Sequence, residues 1–264
     1  MSYKFRILGC GSSGGVPRVG FGWGKCDPKN KKNRRLRCSL LVEKMIDTKK
    51  TTVLIDTGPD VREQLLQANV TNLDAVIYTH SHADHVHGID DLRTVAYKKR
   101  EKLPVWADKE TQKRLLQGFS YIFKTPKKSN YPPICDLHLI SSADVIIQGK
   151  GGIINFRPLL VNHGDINALG FKIGKLAYIP DVLEIPSTSW KELENLDFLI
   201  IDALRRDPHP SHTHLEKTLL WLRKLKPKQA ILTNLHNDLD YSELKKELPK
   251  NVEPAFDGLE INIK

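Results

Sequence analysis

The segment His80-Ser81-His82-Ala83-Asp84-His85 constrains this chain more than any other part of it. Three imidazoles and one carboxylate follow directly on the apolar run Ala75–Tyr78, which reads as a strand. A His pair at i and i+2 in an extended loop can direct both rings to one metal ion. Asp84 and His85 project differently and can serve a second ion nearby. Imidazole with carboxylate suits zinc, iron or manganese. Two such ions about 3.5–4 Å apart can share a hydroxide and clamp both oxygens of a displacement reaction. His87 is either an outer support of this group or a solvent-facing residue.

Around this segment, strand-like runs recur: Phe5–Leu8, Ser39–Val42, Thr52–Ile55, Val105–Ala107, Ile153–Val161, Leu169–Ile173, Leu176–Ile179, Phe198–Ile201, Ala230–Thr233 and Glu260–Ile263. Helical periodicity falls between them at Pro59–Ala68, Lys109–Gln117, Ser187–Leu196, Leu215–Leu225 and Tyr241–Glu247. Strands outnumber helices and both occur in each half, which predicts layered sheets with helices outside. Gly118–Cys135, with Pro126, Pro132, Pro133 and several aromatics, reads as a long loop able to cover a site. Lys29–Arg37 reads as a solvated basic loop, with a phosphate-facing loop as the alternative.

Gly9-Cys10-Gly11-Ser12-Ser13-Gly14 matches the dinucleotide fingerprint but lacks its context. No helix opens there, because Gly15, Pro17, Gly20, Gly22 and Gly24 follow, and the region expected to carry the acidic ribose ligand is basic. A glycine-rich turn that brings backbone close to a buried site is the better reading.

His80-Ser81-His82-Ala83-Asp84-His85 resembles the H-x-H-x-D-H signature of the metallo-β-lactamase superfamily, and later segments continue the likeness: Val161-Asn162-His163-Gly164, Tyr178-Ile179-Pro180-Asp181 and Ile231-Leu232-Thr233-Asn234-Leu235-His236. Within that superfamily the chain resembles the branch containing phosphoribosyl 1,2-cyclic phosphate phosphodiesterase. The shared points are the Gly-rich start, Trp23-Gly24, the basic run before Cys38-Ser39, and Phe256-Asp257-Gly258. The resemblance implies an α/β metallo-β-lactamase fold over residues 1–264 as a single domain, a four-layer αββα sandwich of two mixed sheets. It implies two divalent ions, zinc or manganese with iron also compatible: one on His80, His82 and His163, the other on Asp84, His85 and His236, with Asp181 bridging. It further implies that a bridging water attacks phosphorus and that His212, in Ser211-His212-Thr213-His214, protonates the leaving alkoxide, with His209 and His214 as rivals for that role. Asp84 and His212 are the candidate catalytic residues. Asp56 matches a turn that supports the metal loop, and Asp202 is expected to act similarly. Two departures stand out. Cys26 is alone where the branch carries a zinc-binding cysteine cluster, so no structural zinc is expected. Asn234 occupies the position directly after the strand where the last ligand belongs, which leaves His236 as the nearest imidazole.

The formal charge is +10, from 41 basic and 31 acidic residues, which favours anionic partners. The expected substrate is a small cyclic or nucleotide-like phosphate ester. The alternatives are a tRNA 3′-processing endoribonuclease, with nucleic acid as partner, or a lactone or thioester hydrolase. No apolar run approaches the roughly 20 residues that span a bilayer, and Met1–Cys10 has no signal-like apolar segment, so a cytoplasmic protein without a membrane partner is expected. The four scattered cysteines predict free thiols. A homodimer is compatible with the sequence.

Overall fold

The computed structural model describes residues 2–264; Met1, where the N-terminal reading begins, lies outside it. The strands are β1 (Ser2–Gly9), β2 (Ser39–Ile46), β3 (Lys49–Ile55), β4 (Ala75–Ile77), β5 (Leu103–Ala107), β6 (Cys135–Leu139), β7 (Val145–Gly149), β8 (Gly152–His163), β9 (Ile166–Ile173), β10 (Leu176–Ile179), β11 (Phe198–Asp202), β12 (Gln229–Thr233), β13 (Val252–Pro254) and β14 (Glu260–Ile263). The helices are α1 (Val61–Gln67), α2 (Ala83–Val86), α3 (Arg93–Lys99), α4 (Lys109–Phe123), α5 (Ser187–Glu192), α6 (Leu215–Leu225) and α7 (Tyr241–Glu247). They form two mixed sheets with helices, the α/β metallo-β-lactamase arrangement. The chain divides into two compact units. The first holds residues 2–8, Ser39–Asn155 and Glu260–Lys264; the second holds Gly9–Cys38 and Phe156–Leu259.

In the first unit the strand order is β14-β1-β2-β3-β4-β5-β6. β2 and β3 form an antiparallel hairpin, Leu40 opposite Ile55 through to Ile46 opposite Lys49, and Asp47 supplies the left-handed turn residue at φ 55°. β3, β4, β5 and β6 run parallel. Parallel strands are covered on both faces and so read as unbroken apolar runs, which is why Ala75, Val76 and Ile77 are all buried. Val61, Leu65, Val86, Leu92, Ala96, Leu115 and Ile122 from the helices close over Leu54, Val76 and Val105 to make this unit's core.

The second sheet has the order β13-β12-β11-β10-β9-β8-β7. β10 to β13 are parallel, while β8, β9 and β10 are joined as antiparallel neighbours. α6 presents Leu215, Thr218, Trp221, Leu222 and Leu225 inward, the three-and-four spacing of one helix face. They pack with Leu199, Ile201, Ala230 and Leu232. No disulfide joins the four buried cysteines among the described residues.

Two loop expectations are corrected. Gly118–Cys135 is not one long loop: α4 continues to Phe123, with a break in helical backbone at Phe119, and β6 begins at Cys135. The connection is tied shut by Ile134 N–H donating to Ile122 O at 2.9 Å. The basic run is not wholly solvated either. Arg35 is 1% exposed and its guanidinium donates to the carbonyls of His236 (3.0 Å) and Leu239 (2.6 Å). At Gly9–Gly15 no helix opens. A Cβ on Gly11 would lie 2.9 Å from Arg35 Cβ and 3.0 Å from Arg35 O, so the glycine there serves close backbone approach.

Candidate metal centre

In the first unit, β4 ends at Ile77 and the chain passes through His80 to His82, whose extended backbone (φ −65°, ψ 151°) precedes the single turn α2. That turn carries Asp84 and His85. Its position is set by Asp56, fully buried at the end of β3 with a left-handed φ of 65°. Asp56 Oδ1 accepts the Thr79 N–H and Oδ2 accepts the Thr79 hydroxyl, both at 2.8 Å. His85 Nδ1 donates to the same Oδ2 at 2.8 Å. Burial pushes the Asp56 carboxyl above its usual range, opposed by His85.

With Nδ1 committed to Asp56, His85 offers Nε2 to the group, 3.5 Å from Asp84 Oδ2. The His80 ring lies 4.2 Å from that of His85 and 4.6 Å from that of His82, centroid to centroid. Neutral imidazoles whose far nitrogens are fixed by carboxylate or hydroxyl are the usual arrangement behind metal-binding rings, and Thr79 Oγ1 sits 3.0 Å from His80 Nδ1. The donor chemistry therefore fits a divalent cation. His87 is exposed and turned elsewhere: its Nε2 accepts from Arg114 at 3.2 Å and its ring meets Phe119.

In the second unit, His163 ends β8 and Asp181 follows β10. His163 Nδ1 donates to Ser211 O at 2.6 Å, which leaves Nε2 3.7 Å from Asp181 Oδ2. Asp202 ends β11. It accepts the Val182 N–H at 3.1 Å and the Nδ1 proton of His212 at 2.8 Å. Burial pushes Asp202 up to about 7, with His212 pulling the other way. Of the three candidate acid residues, His212 is the one in contact with both His163, at 4.5 Å between centroids, and Asp202. The His209 ring lies 5.2 Å from that of His212, centroid to centroid; its Nδ1 accepts from the Ser211 N–H, and desolvation with its charged neighbours lowers its pKa. His214 is the residue before α6.

The strand end at β12 differs from what the resemblance implies. Asn234 is buried, has a left-handed φ of 60°, and holds its Nδ2 3.1 Å from His212 Nδ1. His236 has both ring nitrogens engaged within this unit. Nδ1 donates to Asp238 Oδ1 at 3.1 Å, and Nε2 accepts from the Arg18 guanidinium. Sequence reasoning missed Arg18, Arg35 and Asp238. Arg18 and His236 are 218 residues apart, beyond any local pattern; the one available signal was Asp238 two residues after His236.

The β-lactamase superfamily domain model matches residues 51–234. A crystal structure of a diphosphatase from the PhnP family superposes with a TM-score of 0.89 at 34% identity, covering 100% of this chain and 98% of that one. A Porphyromonas gingivalis protein named octanoyltransferase is 34% identical over 257 residues, 96% of this chain and 50% of that protein. A ribonuclease Z from Gemmatimonas aurantiaca is 31% identical over 126 residues, 46% of this chain and 38% of that one. The chain thus spans half or less of the curated relatives it matches. Among the described residues no helix is long and apolar enough to cross a membrane. The matched domain and the shared fold agree: the chain belongs to the metallo-β-lactamase superfamily and is related to its PhnP family.

Proposed function

We propose that this chain is a phosphodiesterase acting on a small cyclic or nucleotide-like phosphate ester. In this reading His80, His82 and His163 hold one divalent cation, Asp84 and His85 hold a second, and Asp181 serves both. Bound there, the cations supply Lewis-acid polarisation of the phosphoryl oxygens and activation of water. Zinc and manganese both suit the donors.

The observation that carries the proposal is His212 beside His163 with its Nδ1 proton on Asp202. An alkoxide is a poor leaving group, and breaking its bond to phosphorus calls for a proton at the departing oxygen. The buried carboxylate orients the His212 ring and favours its imidazolium, so Nε2 can deliver that proton. Ser211 holds the rings on either side, through its carbonyl on His163 and its N–H on His209.

The similarity to a diphosphatase favours a small phosphate ester. The partial match to a ribonuclease Z, together with the +10 charge, supports RNA 3′ processing as the second reading. Purified protein is assayed on a ribose cyclic phosphate and on precursor tRNA, with Asp84→Ala as control. Hydrolysis of the small ester, lost in the variant, is expected. Efficient trimming of the RNA with no action on the ester would replace the first reading by the second.

A further inference from the structure

The superfamily resemblance calls for an imidazole after β12 on the second cation, and this chain answers with Asn234 and, two residues on, His236. Neither fits that task. Asn234 is buried with its amide against His212, and a neutral amide is a weak ligand for zinc or manganese beside imidazole and carboxylate. His236 is committed at both nitrogens. Arginine cannot accept a hydrogen bond and does not lose its proton in proteins, so the contact with Arg18 takes the Nε2 lone pair and forces the proton onto Nδ1. That proton goes to Asp238, whose Oδ2 is fixed in turn by the Arg206 N–H at 3.0 Å. The His236 main chain is also held, its carbonyl accepting from buried Arg35 and its N–H donating to Leu204 O at 2.9 Å. Turning the ring onto a metal would cost the Arg18 contact, the Asp238 contact, or both. It would also bring a divalent cation up to a guanidinium.

We propose that His236 is not a metal ligand in this protein but the centre of an Arg18–His236–Asp238 relay, and that the two cation positions are consequently unequal: one tight, the other one ligand short and readily exchanged. This rests on the ligand set proposed above. Arg18 has no other side-chain hydrogen bond among the described residues. The relay uses His236 as the link between a cation in the N-terminal loop and an anion after β12.

The test is metal content, by mass spectrometry, after the full-length protein is loaded with zinc and dialysed against metal-free buffer. The wild type is expected to retain one equivalent, with a second binding at least ~10-fold more weakly in calorimetric titration, a loss on the scale seen when even an outer support of a metal ligand is removed. His236→Ala is expected to leave both affinities unchanged, and Asn234→His to raise retention toward two. Imidazole nitrogen spectra give a readout that needs no variant: His236 keeps a protonated Nδ1 and an unprotonated Nε2 through two equivalents of zinc. Two equivalents retained by the wild type, falling to one in His236→Ala, with Nε2 of His236 shifting on metal addition, would overturn the inference and leave the phosphodiesterase reading standing. Retention of no metal at all overturns both, and is recognised by the absence of the first, tight equivalent.

Discussion

His212 and Asp202 form a buried imidazole–carboxylate pair, 2.8 Å from Nδ1 to Oδ2, in which the carboxyl is pushed up to about 7. Asp202 does not reach outward: it sits wholly buried at the end of β11. Its effect on chemistry passes through the ring it orients. His212→Ala is therefore expected to lower kcat by roughly 10²–10⁴-fold on an alkyl phosphodiester, the range for loss of a general acid. The loss should be much smaller on a nitrophenyl ester, whose departing oxygen needs no proton. Asp202→Asn keeps the shape but removes the charge that favours the imidazolium, so the alkaline limb of the kcat profile should move to lower pH. Equal losses of His212→Ala on both esters, or an unmoved limb in Asp202→Asn, would remove the acid role.

Asp56 gathers three donors, the Thr79 N–H, the Thr79 hydroxyl and His85 Nδ1. It touches no ligand atom that faces the metal group, yet it sets which nitrogen His85 offers. Asp56→Asn is expected to weaken metal binding by about 10–100-fold, the usual effect of removing such a support. In calorimetric titration the weakening should exceed that of His87→Ala, because His87 is turned toward Arg114 and Phe119. Unchanged affinity in Asp56→Asn would show that the ring is fixed by packing alone.

What could be read beforehand follows how local each signal is. β10, β14, α6 and α7 fall where hydrophobic periodicity and flanking turn residues place them, because each is an apolar segment with clear stops. β6, β7 and β13 went unread. Cys135–Leu139 is a half-exposed strand with polar alternation, Val145–Gly149 is a short strand with alternate residues exposed, and Val252–Pro254 is three residues long. α3 begins directly after a 3₁₀ turn at Ile89–Leu92 and gives no separate start signal. In the metal group, the cluster from His80 to His85 was legible because it is contiguous. The commitments of His236 were not, since they depend on Arg18 in a loop at the other end of the chain. Arg35 misled for a related reason: a charge in a basic run reads as solvated, and only the fold reveals the carbonyls that bury it.

Gly88 follows the metal turn and packs against the loop after β3. A Cβ there would lie 2.1 Å from Gly58 O and 2.6 Å from a Val61 methyl, and a backbone oxygen cannot move aside as a flexible side chain can. Gly88→Ala is expected to destabilise by about 1–3 kcal/mol, the range for overpacking a filled site. Gly118 in α4 has open space around the same atom, so Gly118→Ala should gain roughly 0.5–1 kcal/mol from helix propensity. Chemical denaturation of both variants checks the pair. A Gly88→Ala protein as stable as the wild type would mean that the loop after β3 yields.

Asp257 gives the clearest pH dependence. It is half-buried, accepts the N–H groups of Cys10 (3.1 Å) and Leu36 (2.7 Å), and closes the Gly-rich loop onto the end of the chain's second unit. Burial pushes its carboxyl up to about 7, more than those N–H donors bring it down. The unfolded chain releases this proton near pH 4, while the folded one keeps it until about 7. Between those values the folded state binds more protons, so this residue makes stability fall as pH rises, by up to about 1.4 kcal/mol per pH unit, and levels off above 7. In the metal-free protein, urea denaturation from pH 4.5 to 8 should show this decline, because carboxylates shifted downward, such as Asp238 and Asp240, titrate below that range. Asp257→Asn removes the titration but retains one acceptor, so its stability should be lower than wild type at pH 5 and closer to it at pH 8. A difference between the two proteins that stays constant across that range would mean that Asp257 is already ionised in the folded state at pH 5, its two N–H donors outweighing the burial.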